Sequence, residues 1–161
     1  MYKVGDKVLY PVHGAGLIEG IEECEVMGTV HKYYTMHMPV GDMKVMIPCD
    51  GGNNAGLRDI VDEKTADEVM DSMSKPGEED SVSWNRRYRE NTEKIKSGNI
   101  FYVAEVVKSL MIRDKEKGLS TGERKMLSDS RHILISELVL AKNSSKEEIS
   151  AILDEKVFSI T

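Results

Sequence analysis

The spacing of apolar positions changes once along this 161-residue chain, close to residue 56, and separates a β-patterned part from a helix-patterned part. In the first part the apolar runs are short and closely punctuated. Lys7-Val8-Leu9-Tyr10 stops at Pro11, and Ala15-Gly16-Leu17-Ile18-Glu19-Gly20-Ile21 follows a glycine-containing turn. Lys32-Tyr33-Tyr34-Thr35-Met36-His37-Met38 is rich in aromatic and β-favouring residues and stops at Pro39, and Lys44-Val45-Met46-Ile47 stops at Pro48. Gly28-Thr29 and Val40-Gly41-Asp42 lie between runs as turns. Four or five short strands with tight connections predict a small, strongly bent antiparallel barrel. Its apolar content is modest, so it must lean on the rest of the chain or on a partner.

Asp50-Gly51-Gly52-Asn53-Asn54-Ala55-Gly56 is the clearest break, because small, turn-prone residues hold neither strand nor helix well. Beyond it Ile60, Ala66, Val69, Met70 and Met73 share a helical face, and the helix ends in the stretch 74–80, which contains Pro76 and Gly77. A second helix is expected over 81–97, closed by Gly98. A third, over 100–117, carries the stripe Val103, Val106, Val107, Leu110 and Met111 and stops at Gly118. Ser120-Thr121-Gly122-Glu123 has capping-box spacing: the serine oxygen accepts from the amide three residues on, and the glutamate reaches back. It opens a fourth helix running to about residue 142, with Leu127, Leu134 and Leu138 inward. Ser145-Lys146-Glu147-Glu148 repeats the pattern ahead of Ile149, Ile152 and Leu153. The class is therefore α+β: a β-domain over 1–52, a hinge over 53–59, and a compact all-helical domain of about five helices over 60–161. No internal repeat and no extended heptad is visible.

Composition adds a soluble, folded character: 40% apolar and 31% charged residues, with no apolar run of membrane-crossing length. The net charge of −6 argues weakly against nucleic acid, but the total conceals segregation. Residues 1–80 hold 7 basic and 16 acidic side chains, residues 81–131 hold 12 and 7, and residues 132–161 hold 3 and 5. A positive middle in an acidic protein either meets phosphate locally or is a solvated face. The opening residues have no apolar signal core, which leads to the expectation of a reducing, cytoplasmic compartment. Cys24 and Cys49 lack ligand spacing, so no zinc site is expected; their number alone allows a disulfide.

Several blocks, in order, resemble the CarD family (CarD and CdnL proteins). Lys3-Val4-Gly5-Asp6 through Tyr10-Pro11-Val12-His13-Gly14-Ala15-Gly16 resembles the family's start, and also the polymerase-interacting module of transcription-repair coupling factors. Ser83-Trp84-Asn85-Arg86-Arg87-Tyr88-Arg89 resembles its tryptophan-plus-arginine segment. The block from Arg113-Asp114-Lys115-Glu116-Lys117 through Arg124-Lys125-Met126-Leu127 resembles its second strong motif. The resemblance covers nearly the whole chain. It implies a Tudor-like N-terminal domain docking on the RNA polymerase β subunit, and a helical domain touching promoter DNA at the upstream fork of the transcription bubble. It further implies altered open-complex stability, no enzymatic activity, no cofactor, a monomer in the functional complex, and association with the nucleoid through polymerase.

Trp84 is the single tryptophan. It is either a core residue of the second helix or an amphipathic wedge beside Arg86, Arg87 and Arg89. Such a ring suits partly unstacked bases while guanidinium groups hold flanking phosphates, and the resemblance puts the wedge here. The same arginines can instead pair with Glu90 and Glu93 at helical spacing. Arg113, Lys115, Lys117, Arg124, Lys125 and Arg131 form a second basic set, either phosphate-binding or plain surface. For polymerase the candidates are the edge segment Val45, Met46 and Ile47 and the region Glu23, Cys24, Glu25 and Val26, which it is expected to oppose. A sheet edge can add to a partner's sheet through backbone hydrogen bonds. Some relatives carry arginines where this chain has Cys24 and Met46. That departure suggests an apolar or weaker contact, unless Met46 is simply core.

Other chemistry finds little support. The glycines of residues 10–16 lack a P-loop ending and the dinucleotide fingerprint, and read as turn formers. His13, His31, His37 and His132 are scattered, with no ligand or nucleophile set around them.

Overall fold

The computed structural model describes residues 2–11, 13–49, 56–77 and 83–160. Among the described residues five strands precede five helices: β1 (Lys7–Tyr10), β2 (Gly14–Val26), β3 (Thr29–Met38), β4 (Met43–Pro48), β5 (Arg58–Asp59), α1 (Glu63–Ser72), α2 (Trp84–Lys96), α3 (Ile100–Glu116), α4 (Thr121–Lys142) and α5 (Lys146–Phe158). The chain is α+β, as the periodicity predicts.

All strand pairs are antiparallel, in the order β4-β3-β2-β1-β5. The sheet bends at a bulge between Ile18 and Gly20 but stays open, rather than closing into the expected barrel. The reason lies at its ends: β5 is two residues long and pairs with β1 alone, leaving β4 an edge among the described residues. The long hairpin turns at Met27 (φ 52°) and Gly28 (φ 81°), between the paired Val26 and Thr29. Two positive φ values in a two-residue loop match the twist of the strands they join. The predicted turn at Gly28-Thr29 is thus displaced by one residue.

Strand side chains alternate between faces, and β1 is buried on both. Val8 joins Ile18, Tyr34, Met36, Met38, Ile47 and Leu57 in a core inside the bent sheet. Its neighbour Leu9 joins Ala15 and the apolar faces of α1, α3, α4 and α5 in the main core. The sheet therefore leans on the helices, as its small apolar content requires.

Two polar contacts fix that junction. The Ser136 hydroxyl of α4 accepts the Ala15 amide at 2.9 Å. Arg58 donates from both terminal nitrogens to the Glu137 carboxylate, at 2.6 and 2.8 Å, and the Val61 amide adds a third bond at 2.9 Å. Residues 53–55 of the expected hinge lie outside the described residues, as do residues 50–52 before it. Arg58 and Asp59, inside the expected linker, are strand β5, and Arg58 ties that strand to α4.

The helix starts follow their sequence signals. Asp62, Ser83, Ser120 and Ser145 each accept an amide three residues on, and Asn99 caps α3 through Phe101. Lys108 of α3 donates to the carbonyls of Ser72, the last residue of α1, and Lys75, just beyond it. It therefore ties α3 to the turn that follows α1.

Candidate functional site

The Ser83 cap makes Trp84 the first residue of α2. Four residues on, Tyr88 shares its helix face, and the two rings stack with centroids 5.1 Å apart and planes inclined by 19°. Tyr88 packs below on the small core of Val106, Leu110 and Met126. The Trp84 indole N–H points to the start of α4, where it meets Glu123 Oε1 at 3.1 Å and Ser120 Oγ at 3.3 Å. Trp84 remains 43% exposed, so the core reading does not hold for it.

Glu123 is the unexpected member. In a capping box its carboxylate would reach back along its own helix. Here the serine half is made, Glu123 N donating to Ser120 Oγ at 3.2 Å. The carboxylate turns to α2 instead, with Oε1 on the indole and Oε2 accepting from Arg87 Nε at 3.2 Å. Both partners of this ion pair are buried, Arg87 at 6% and Glu123 at 2% exposure. A buried carboxylate requires such a cation, because desolvation penalises either charge alone. Arg87 is accordingly a correction to the expected phosphate contacts: its guanidinium is enclosed between α2 and α4.

The remaining arginines of α2 face solvent. Arg86 is exposed and shares its charge with Glu90 at 2.9 Å, the pairing expected from helical spacing, while Arg89 is exposed. In the second basic set, Lys125 is exposed on α4, within electrostatic reach of Tyr88. Its hydrogen bond and charge contact with Asp129 (2.8 Å) raise its pKa, and the nearby Tyr88 adds to the shift. Arg124 is exposed and donates to the Leu119 carbonyl at 3.3 Å. Arg113 is half-buried and Lys117 exposed at the end of α3. Lys115 lies 5.1 Å over the Phe158 ring. Arg131 is a second correction: it donates to Ser150 Oγ at 2.7 Å and pairs with Asp154 at 3.0 Å, pinning α5 to α4.

On the sheet, Met46 is 52% exposed on edge strand β4, which disposes of its core reading. Val45 is half-buried. The Ile47 side chain fills the core inside the sheet, a correction to its expected partner contact, although its backbone lies on the edge. Glu23, Cys24, Glu25 and Val26 are exposed but do not oppose β4. They pair with Lys32, His31, Val30 and Thr29 of β3, which runs between the two segments. Cys24 and Cys49 are free thiols. Among the described residues no helix is long and apolar enough to cross a membrane, and no three His, Cys, Asp or Glu side chains are placed to hold a metal.

Sequence reasoning missed Tyr88 and Glu123 as parts of one arrangement with Trp84. The Trp84–Tyr88 spacing of four was a usable signal. Glu123 carried only a capping signal, since nothing in its own helix reveals that α2 lies opposite.

A bent strand module is thus joined to a helical bundle whose α2 carries an exposed aromatic at its start. The signature described as CarD-like/TRCF RID domain, a Tudor-like module, matches residues 2–61, and that described as CarD, C-terminal domain matches residues 68–154. The chain belongs to the CarD family. It is 40% identical over 152 residues to "Putative transcription factor YdeB" of Bacillus subtilis strain 168, covering 94% of this chain and 99% of that protein.

Proposed function

We propose that this protein binds the RNA polymerase β subunit through its sheet and promoter DNA at the upstream fork of the bubble through α2, altering the stability of the open complex. The observation that carries this reading is the half-exposed Trp84 ring, stacked on Tyr88, on a helix that also exposes Arg86 and Arg89 to solvent. An apolar ring suits partly unstacked base steps, and the cations suit the phosphates on either side. Polymerase binding is supported by the match to the RID module and by the edge strand β4 with its exposed Met46.

Contacts made only with melted DNA shift the closed–open equilibrium by their differential energy. A wedge and a few phosphate contacts supply about 1–3 kcal/mol, or roughly 5–150-fold. The protein would act as a monomer in this complex and reach the nucleoid by way of polymerase. The test is open-complex lifetime on a weakly stable promoter, with the host holoenzyme and wild-type protein, Trp84→Ala or no protein. The expected result is a lifetime lengthened by wild type and largely returned to baseline by Trp84→Ala. Unchanged lifetimes with polymerase binding intact would point to an adaptor that works through protein contact alone.

A further inference from the structure

We infer that the N-terminus of α4 is a socket that sets the orientation of the Trp84 ring, with Glu123 as its positioning residue and the buried Arg87 holding Glu123 in place. The assignment rests on the reading of Trp84 as the DNA-facing group.

A tryptophan at the first position of a helix has several staggered rotamers open to it. Here one is selected by contacts on two sides. Tyr88 stacks on the ring face, and the indole N–H is shared between Ser120 Oγ and Glu123 Oε1. These acceptors lie 36 and 39 residues further along the chain, so the orientation is a tertiary property and not a preference of α2. The carboxylate is itself constrained. Its second oxygen is held by Arg87 Nε, and Ser120 Oγ also donates to Oε1 at 3.3 Å. A buried ion pair is thus used to aim an exposed aromatic. Prior ordering lowers the entropy lost when a partner binds.

The arrangement also defines the kind of contact that Trp84 can make. The only polar atom of the indole is engaged inside the protein, so the surface offered to a partner is carbon. The ring can stack or wedge but has no hydrogen bond to give a base edge. Stacking tolerates any base, because every base has a π-face. Trp84 therefore senses unstacked nucleic acid without contributing base readout.

Two paired variants separate aiming from simple cohesion of α2 and α4. Arg87→Met with Glu123→Gln removes both charges yet leaves an amide oxygen for the indole. Arg87→Met with Glu123→Leu fills the same space without an acceptor. Trp84 is the sole tryptophan, so its fluorescence and acrylamide quenching report its surroundings directly. At matched Tm, the glutamine pair is expected to keep wild-type quenching and open-complex lifetime. The leucine pair is expected to raise quenching and lose most of the lifetime gain. A leucine pair indistinguishable from wild type, or a folded glutamine pair that fails alongside it, overturns the assignment. Wild-type protein provides a check that needs no variant. The indole proton should exchange with solvent at least about tenfold more slowly than that of a free indole, and free exchange would also overturn the socket. If Trp84→Ala leaves lifetimes unchanged, the DNA reading fails, while quenching and exchange still decide the positioning.

Discussion

Gly16 shows how closely single positions are constrained. A Cβ there would lie 2.4 Å from the backbone oxygen of His37 on β3, a contact no side-chain adjustment relieves. The sequence suggests a turn-forming glycine, whereas the structure shows close strand approach. Gly16→Ala is expected to cost about 2 kcal/mol or more, as overpacking does, measured by chemical denaturation; a loss under about 0.5 kcal/mol would contradict the close approach. Arg87 makes the same point in charge. In the sequence it is one of three arginines in four residues, whereas in the fold it alone is enclosed, by Glu123. Residue type marks what a side chain can do, and its neighbours in space select which of those things it does.

At the scale of elements, β4 and the β2–β3 hairpin are the sheet's open features. The outer half of the hairpin, from Ile21 to the turn at Met27, is exposed on both faces and joins none of the hydrophobic cores among the described residues. Met46 likewise contributes little to the core. Met46→Asp should therefore alter stability by less than about 0.5 kcal/mol. On the proposed reading it should weaken binding to the isolated β subunit by about tenfold or more, measured by calorimetry. Normal binding with normal stability would move the polymerase contact away from β4. The starts of α4 and α5 were the most legible, because Ser120 and Ser145 are capping side chains that act within a few residues, whereas α2 begins at Trp84, behind a Ser83 cap, and not at the expected residue 81. The closure of the sheet was not legible, since it depends on whether β4 meets β5, and neither strand encodes that.

At the scale of the molecule, the sheet and the helices share a core through Leu9 and Ala15 and are tied by Arg58 and Glu137. Arg58→Ala would leave the buried Glu137 carboxylate with only the Val61 amide among these partners. The expected loss is about 3 kcal/mol in denaturation, the scale for breaking a buried ion pair. An unchanged Tm would mean that the junction is maintained without this clamp. His132 on α4 is a second sensor of the junction. Its ring lies 3.7 Å from where a Cβ on Gly41 would stand, and its buried Nε2 meets no hydrogen-bond partner among the described residues. Burial, then the nearby Lys146, lowers its pKa, and Asp129 opposes the shift only in part. The folded state thus binds this proton less readily than the unfolded chain. The stability contribution is complete above about pH 6.5 and is lost as the pH falls through the lower folded-state pKa. His132→Gln should flatten the stability profile in that window, and an NMR titration should place the His132 pKa below that of an exposed histidine.

The sequence by itself determined the two periodicities, the starts of α4 and α5, the family and the place of Trp84 at the head of α2, because each is carried by short blocks of residues near one another in the chain. Tertiary structure decided which arginine is buried, that the sheet stays open, that the expected linker contains a strand clamped to α4, and that the capping glutamate of α4 aims a tryptophan on α2. These outcomes depend on desolvation and on partners dozens of residues away, and such forces exist only once the elements have come together.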